Sequence, residues 1–279
     1  MEKKYELLKD DTIEVKGKTL YRIRALRDFG KIKAGDLGGY IEKERNLSHE
    51  GNCWVYGGNY GSSAKVYDSA EVYDNAIVEH YAEVYDCAEV YGNAIVRKFA
   101  EVYGCAHVCD YAKIDGRAEV FEYARVCECA LIEDESYIHG HSIISGEAHI
   151  EAAEVHEYVS VYGDAYITGY SILCGGDEEE YLHIHGSISL LDKAFITSNN
   201  DFAMVQGFRD VEETITFYRT NDDNIKVDSL SLDEFKDNIS KHYGNTDIGK
   251  ELTLIVEAME SRFNRLKRKQ INLEELVLY

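Results

Sequence analysis

The chain contains no proline among its 279 residues, and positive charge is scarce. Proline removes a backbone donor from a β-ladder, so its absence suits uninterrupted sheets but decides nothing about biochemical role. The 30 Lys and Arg residues are outnumbered by 52 Asp and Glu residues, which leaves a formal net charge of -22. Nucleic-acid binders need a basic surface against phosphates. We therefore expect no direct binding of nucleic acid.

Long apolar runs and familiar catalytic motifs are missing as well. No hydrophobic stretch approaches the roughly 20 residues of a membrane helix, and the start MEKKYELLKDD lacks the apolar segment of a secretion signal. These absences favour a soluble cytoplasmic protein without membrane contact. The sequence has no phosphate-binding loop, no Gly-x-Gly-x-x-Gly after a strand and no serine nucleophile elbow. The common nucleotide-dependent and serine-hydrolase chemistries are thus not indicated.

What the chain does have is a six-residue repeat. A Val or Ile recurs at every sixth position through fifteen hexads without a gap, and Ala or Ser stands two residues before each. A fixed short period of this kind is typical of a solenoid, in which each repeat stacks on the previous one. The branched positions are Val66, Val72, Val78, Val84, Val90, Val96, Val102, Val108, Ile114, Val120, Val126, Ile132, Ile138, Ile144 and Ile150.

Each hexad predicts a short strand followed by a corner. Side chains alternate along a strand, so the branched residue and the small residue two before it point inward together. The residues on either side of the branched one then point outward. Asp, Asn or Gly commonly follow, as at Asp74-Asn75 and Gly92-Asn93, and these residue types tolerate tight bends.

The outward residues also show an eighteen-residue period. Taking the residue after each branched position, every third hexad belongs to one series with its own chemistry. The three series are Tyr67, Tyr85, Tyr103, Phe121, His139; then Tyr73, Tyr91, Cys109, Cys127, Ser145; and then Glu79, Arg97, Asp115, Glu133, Glu151. Three distinct series predict three walls, with neighbouring turns about 4.8 Å apart.

This repeat, over residues 47 to about 175, resembles the hexapeptide-repeat family, whose chains coil as a left-handed parallel β-helix with three hexads per turn. The resemblance implies the hand of the coil and an all-β solenoid with 18 residues per turn. Just before it, LYRIRALRDFGKIKAGDLGGYIEKERNLSHEGNCWVYG resembles the N-terminal signature of YdcK-like hexapeptide proteins. Those proteins occur in bacteria and phages and are described as transferases or as polymer-forming proteins.

We expect three parts: an N-terminal capping segment at 1–46, the β-helix at 47–205, and a small α+β module at 206–279. Residues 12–29 alternate as a hairpin around Lys16-Gly17-Lys18, which would cover the first open turn. Residues 214–229 read as a second hairpin that turns at Asn221–Asn224. A capping box at Ser231 and Glu234 opens a helix to about His242, and 247–268 form a longer amphipathic helix. This module resembles one found in phage-encoded hexapeptide proteins.

Two irregularities interrupt the repeat. Val155 follows Ile150 after five residues, and an acidic insertion at 174–181 precedes the return of the repeat at Ile184. Insertions in solenoids usually form surface loops. A surface loop is the expected form of 174–181, with a hard-cation site on its glutamates as the alternative.

The seven cysteines favour free thiols in a cytosolic chain. Cys87 with Cys105, and Cys109 with Cys127, are eighteen residues apart and should stack at a separation that a disulfide accepts. Disulfides or soft-metal sites are therefore alternatives, although no zinc-finger type Cys-x-x-Cys pair is present.

Catalysis is the less favoured hypothesis. Many hexapeptide proteins are acyltransferases, in which a histidine takes the acceptor's proton and acyl-coenzyme A lies along the prism. The resemblance makes His139 and His141 the candidate bases, and His183 with His185 form a second pair. However, such enzymes usually carry a long loop beside the active site, and no loop leaves the repeat between Ala64 and Ile150. We assign no catalytic residue, cofactor or metal site, and keep acyl-coenzyme A transfer as the alternative.

The favoured hypothesis is a non-enzymatic acidic interaction or scaffold protein. Its predicted binding surface is an exposed aromatic series with neighbouring carboxylates, of a kind enriched at interfaces. The surface consists of Tyr67, Tyr85, Tyr103, Phe121, Glu83 and Glu101. The expected partner is a protein, such as a basic or nucleic-acid-binding host factor met by a phage protein. Two alternatives stay open: the rings only stabilise the turns, or outward Ile77, Ile95 and Leu131 support self-association.

Overall fold

The structure is a computed structural model, and it describes residues 2–15, 17–56, 59–62, 64–176, 178, 181–208 and 213–266. Its body is a parallel β-solenoid with three walls. An antiparallel hairpin continues one wall at the N-terminal end, and an antiparallel sheet with two helices follows at the C-terminal end. The predicted architecture is confirmed.

The N-terminal hairpin consists of the strands Tyr5–Val15 and Lys18–Ala25, and it begins earlier than the sequence indicates. Its second strand pairs antiparallel with Leu37–Ile41, which in turn pairs parallel with Asn59–Ser62 of the solenoid. A short 3-10 helix at Glu44–Asn46 follows. Because the hairpin occupies the open edge of a wall, it covers backbone groups that would otherwise lack partners.

The three walls are numbered in the order in which the chain enters them from Lys65–Val66 onward. The first wall contains Lys65–Val66, Glu83–Val84, Glu101–Val102, Glu119–Val120, Tyr137–Ile138, Glu154–His156, Ile172–Cys174 and Phe195–Ile196. The second contains Trp54–Val55, Glu71–Val72, Glu89–Val90, His107–Val108, Arg125–Val126, Ile143–Ile144, Val159–Tyr162 and Leu182–His185. The third contains Leu37–Ile41, Asn59–Ser62, Ile77–His80, Ile95–Val96, Lys113–Ile114, Leu131–Glu133, His149–Glu151, Tyr166–Ile167 and Ser189–Leu190.

The register follows the predicted superperiod. Val84 pairs with Val102, and Val102 with Val120, in steps of eighteen residues. Val155 follows Ile150 after five residues instead of six, which shortens one turn. Ile138 therefore pairs with Val155, seventeen residues later. Ala152, at this irregular corner, has a positive φ of 48°.

The interior is formed by the residues that the repeat predicts. Every branched residue from Val66 to Ile150 is completely buried, and so are the Ala and Ser residues two positions before them. Burying one such branched side chain contributes on the order of 1.5–3 kcal/mol before chain entropy is subtracted. Stability therefore accumulates turn by turn.

The corners show why Asp, Asn and Gly recur. The second residue after each branched position has a positive φ, for example 56° at Asp74 and 70° at Gly92. A Cβ at Gly92 would lie 2.8 Å from the backbone nitrogen of Asp110, so a side chain there would require a local shift of the backbone. Acidic corner residues have a further role: Asp74 accepts the Gly92 N–H at 3.2 Å, and Glu122 accepts the Gly140 N–H at 2.8 Å. Part of the negative charge thus satisfies backbone donors of the next turn.

The C-terminal module has a four-stranded antiparallel sheet and two helices. The strands are Phe202–Phe208, Glu213–Arg219, Ile225–Val227 and Leu230–Ser231, and the helices are α1 (Leu232–His242) and α2 (Asp247–Arg265). The predicted capping box is present, because Ser231 Oγ accepts the Glu234 N–H and Glu234 accepts the Ser231 N–H. Leu252, Val256 and Phe263 of α2 pack with Phe217 and Val227 in a separate core. Residues 267 and 268 of the predicted second helix lie outside the described residues.

The predicted part boundaries at 46/47 and 205/206 stay predictions. Asp177, Glu179 and Glu180 of the acidic insertion lie outside the described residues, so its predicted loop also stays a prediction. All seven cysteines are free thiols. In the described part of the chain, no helix combines the length and apolar character needed to cross a membrane.

Candidate functional site along one corner of the solenoid

Six rings form a continuous column where the first wall turns toward the second. This corner stack consists of Tyr67, Tyr85, Tyr103, Phe121, His139 and His156. Successive ring centroids are 4.9, 4.9, 4.8, 4.5 and 5.1 Å apart, and neighbouring planes differ by no more than 8°. The spacing is that of neighbouring strands, because each turn contributes one ring at the same position.

Each tyrosine hydroxyl of the corner stack donates to a glutamate of the following turn. The distances are 3.0 Å from Tyr67 to Glu83, 2.9 Å from Tyr85 to Glu101, and 2.8 Å from Tyr103 to Glu119. The fourth ring is Phe121, which has no hydroxyl, and the corresponding position of the following turn is Tyr137 instead of glutamate. From Tyr67 to Phe121, phenol and carboxylate are thus present together or absent together.

The rings are half-buried, and not fully exposed as the sequence suggested. Stacking covers both faces of the inner rings, and the glutamates cover the hydroxyls. The aromatic side chains with the greatest exposure project from corners, and examples are Tyr81 at 57% and Tyr111 at 61%. The rings of the corner stack point outward from their strands but are not exposed, because the rings of neighbouring turns cover them.

Burial, followed by the hydrogen bond to Glu101 and its negative charge, raises the pKa of Tyr85 far above its usual value. The pKa values of Tyr67 and Tyr103 are raised for the same reasons, with Glu83 and Glu119 as the acceptors. These phenols accordingly remain neutral hydrogen-bond donors to the glutamates.

A line of carboxylates runs beside the corner stack. Glu83, Glu101 and Glu119 are register partners on consecutive strands of the first wall. Lys65 lies 2.5 Å from Glu83. Among the described residues, no Lys or Arg forms an ion pair with Glu101 or Glu119. This part of the first wall therefore presents negative charge that has hydrogen-bond donors but no counter-charge.

The structure places the two candidate bases in different columns. His139 belongs to the corner stack, where its side chain is 12% exposed between Phe121 and His156. His141 stacks in an outer column between Tyr123 and Tyr158, at 5.0 and 4.8 Å. His183 and His185 are also in ring contact, with Tyr181 and Tyr162 respectively. The sequence pattern His-x-His therefore does not bring two imidazoles into one cleft here.

Residues that the sequence analysis missed join His139 instead. Its Nε2 lies 3.3 Å from Oε1 of Glu154, and its ring stacks on that of His156. One ligand atom from each of these three residues lies within 4.8 Å of the other two. The available signal was the five-residue step before Val155, which shifts His156 into register with His139.

A second group of this kind lies at the corner between the second and third walls. Cys109 and Cys127 are buried and lie near the Asp110 carboxylate, with Cys109 Sγ 3.7 Å from Asp110 Oδ2. Hydrogen bonding from the Cys127 thiol, followed by that from the Tyr91 hydroxyl, lowers the pKa of Cys109 to about 6 despite burial. The pKa of Cys127 is raised for the complementary reason. The stacked pair thus combines one thiol of lowered pKa with one of raised pKa.

Two surface clefts lie among the described residues. One has a volume of about 560 Å³ near the N-terminal end and is lined by Lys31, Tyr56, Glu71, Tyr73, Asp74 and Glu89. The other, of about 390 Å³, lies in the C-terminal module between its sheet and helices. Neither cleft is lined by a histidine of the repeat.

Part of this chain is similar to a known protein. No protein-family profile matches this chain. A segment of 40 residues is 48% identical to part of the Escherichia coli (strain K12) protein described as "Uncharacterized acetyltransferase YdcK". The segment is 14% of this chain and spans only 12% of that protein. Together with the parallel solenoid of 18-residue turns, this match fits a hexapeptide-repeat family.

Proposed function

We propose that this hexapeptide-repeat solenoid is a non-enzymatic interaction or scaffold protein that binds a basic protein partner along its first wall. The binding surface is that predicted from the sequence, extended by one glutamate. It consists of Tyr67, Tyr85, Tyr103, Phe121, Glu83, Glu101 and Glu119. The observation that carries the proposal is the line of carboxylates beside the aromatic column, in which Glu101 and Glu119 have no counter-charge among the described residues.

Electrostatics favours a basic partner. Unit charges about 4 Å apart interact by about 1 kcal/mol in water and more near a protein surface, so a row of glutamates on adjacent strands repels itself. Lys or Arg side chains of a partner would relieve this repulsion. Unlike the corner carboxylates that accept backbone N–H groups, those of Glu101 and Glu119 accept only a phenol each among the described residues.

The aromatic column adds a preorganised contact surface. Its rings are held by stacking and by hydrogen bonds, so little side-chain entropy remains to be lost on binding. Their outward edges are apolar, next to charge, which is a combination enriched at interfaces. The partner class that fits is a basic or nucleic-acid-binding protein, and a host factor bound by a phage protein is one such setting.

The test compares two double variants with the same change in charge. Glu101→Gln/Glu119→Gln alters the first wall, whereas Glu147→Gln/Asp164→Asn alters exposed acids at another corner. Binding to an arginine-rich peptide, followed by fluorescence anisotropy, should weaken at least tenfold for the first variant and at most twofold for the second. Equal weakening in both would show that only net charge matters, and would overturn the assignment of the surface.

Partner identity needs a separate experiment. Proteins captured from the native host by the wild-type chain and identified by mass spectrometry should be basic. Tyr85→Ser/Tyr103→Ser should reduce their capture while circular dichroism still reports the β-solenoid. Capture that is unchanged in this variant would contradict a role for the corner stack.

A second candidate is acyl transfer from acyl-coenzyme A. The contact between His139 and Glu154 favours it, because a carboxylate beside an imidazole orients a general base. The partial match to a protein described as an acetyltransferase is the other support. Calorimetric titration with acetyl-coenzyme A should then give binding that His139→Ala or His141→Ala weakens, and the protein should be a trimer in solution. No heat at millimolar ligand would exclude this candidate.

A further inference from the structure

We propose that His139, Glu154 and His156 form a binding site for a divalent transition-metal ion, with Zn²⁺ as the preferred ion. This His139 cluster lies on two consecutive strands of the first wall. One ligand atom of each residue lies within 4.8 Å of the other two, and His139 Nε2 is 3.3 Å from Glu154 Oε1. The proposal is independent of the interaction function above.

The cluster arises because the tyrosines of the corner stack are replaced by histidines at the equivalent position of later turns. In earlier turns a phenol donates to a glutamate of the following turn, as Tyr103 does to Glu119. His139 stands where Tyr103 stands, and Glu154 stands where Glu119 stands. The next ring is again an imidazole, His156. The Glu154 carboxylate thus lies near two imidazole rings whose nitrogens can bind a metal ion. The tyrosines of the earlier turns offer no such nitrogen.

The set of donors suits zinc. Zn²⁺ is bound by imidazole nitrogen and carboxylate oxygen at about 2.0–2.2 Å, and two His with one Glu leave a fourth position for water. Imidazole also suits Cu²⁺, Ni²⁺ and Fe²⁺, whereas Mg²⁺ and Ca²⁺ prefer oxygen alone. The proposed ligand class therefore excludes the hard cations considered for the acidic insertion.

Binding requires a definite rearrangement of the two rings. An imidazole coordinates through a lone pair in its own plane, and the planes of His139 and His156 are parallel within 8° at 5.1 Å. The two rings therefore turn toward a shared ion, which loosens the contact of His139 with Phe121. Both rings keep their backbone positions during this movement, because the residues before them are buried in the solenoid.

The surroundings of His139 and His156 suit metal binding. Glu122 Oε2 lies 3.7 Å from His139 Nδ1 and is held by the Gly140 N–H. A carboxylate on the far nitrogen of a histidine orients the ring and leaves Nε2 for the metal. His156 is only 6% exposed.

The experiment titrates the full-length untagged protein with Zn²⁺ by calorimetry at pH 7.5, in a Cys109→Ser/Cys127→Ser background. That background removes the competing thiol group at the other corner. We expect one ion per chain, and a loss of affinity of at least 100-fold in His156→Phe and in Glu154→Gln. His156→Phe keeps an aromatic ring in the corner stack, as Phe121 does.

The matched control is His141→Phe, which makes the same change in the neighbouring outer column. It should bind Zn²⁺ within threefold of the background protein. Zn²⁺ should also raise the unfolding temperature of the background protein and of His141→Phe, but not that of His156→Phe. The absence of a stoichiometric ion at 100 µM Zn²⁺, or equal losses in His141→Phe and His156→Phe, would overturn the site.

Discussion

The two halves of the corner stack share a backbone but differ in chemistry. From Tyr67 to Phe121 the rings are phenols and a phenyl, and the three phenols donate to glutamates of the next turn. At His139 and His156 the rings are imidazoles, and a nitrogen of each lies within 4.8 Å of a Glu154 carboxylate oxygen. Inward residues are buried equally in both halves.

The comparison teaches that winding and surface chemistry are specified by different residues. Buried Val, Ile and Ala set the shape of every turn, so outward positions are free to vary without altering the coil. The first half uses that freedom for a charged, rigid surface, and the second half for a potential metal site. Substitutions and pH can separate what the halves share from what distinguishes them.

The largest effect is expected from the shared interior. Ile114→Ala, in a turn of the first half, and Ile138→Ala, in the second, each remove a completely buried side chain. Each should lower the free energy of unfolding by about 2–5 kcal/mol, because a cavity is left between stacked turns. Urea unfolding followed by circular dichroism measures this. Ile143→Ala, at an outward position, is the control and should cost much less. A large difference between the two buried sites would mean that the halves do not share one core.

Corner glycines should come next. Gly104 and Gly140 both have a φ of 67°, and an added Cβ would lie 2.7 and 2.4 Å from the backbone nitrogens of Glu122 and Glu157. Substitution by Ala at either site should cost about 1–3 kcal/mol. Gly35→Ala is the control, since its φ is also positive but its Cβ would meet nothing within 4 Å. Equal costs at all three sites in urea unfolding would show that φ alone, and not the contact with the next turn, is responsible.

The third prediction distinguishes the halves by pH. Burial lowers the pKa of His156 in the folded protein below its ordinary value of 6.5, so the unfolded chain binds more protons. Stability should therefore fall as pH decreases below about 6.5, and the loss should end once the pH is below the folded pKa. The unfolding temperature between pH 7.5 and 5.5 tests this, and His156→Phe should flatten that dependence. A profile unchanged by His156→Phe would assign the pH dependence to other groups.

The smallest effect should come from a single hydroxyl of the first half. Tyr103→Phe keeps the ring, as Phe121 shows, but removes the hydrogen bond to Glu119. The expected loss of stability is about 0.5–1.5 kcal/mol. Tyr81→Phe is the control, since Tyr81 is largely exposed and stacks on Phe99 through its ring. In a spectrophotometric titration, Tyr85 and Tyr103 should stay protonated after exposed phenols have ionised, because their pKa values are raised. Simultaneous ionisation would contradict the hydrogen-bonded column.

Much of the architecture was predictable because each position of the six-residue repeat has one structural role, either buried, outward or at a corner. Buried positions such as Val102, corner positions such as Gly92, and the capping box at Ser231 all follow from short-range patterns. Ring stacking of Tyr67, Tyr85 and Tyr103 also followed, since residues eighteen apart must lie on adjacent turns.

The contacts of the candidate site were less accessible. The bond from Tyr103 to Glu119 joins residues sixteen apart, and it depends on how the phenol leans across to the next turn. The half-buried state of the rings results from that lean and from the close spacing of turns. His139 was correctly placed in a column, but its partners Glu154 and His156 were not foreseen, because the irregular step before Val155 alters the count.

By itself, the sequence determined that the chain winds in turns of three hexads, because burial of a branched side chain at every sixth position is a local requirement repeated many times. Only the tertiary structure decided which outward groups meet. A hydroxyl, an imidazole or a carboxylate finds its partner on the adjacent turn, and that choice depends on side-chain direction and on one shortened turn, neither of which the repeat period specifies.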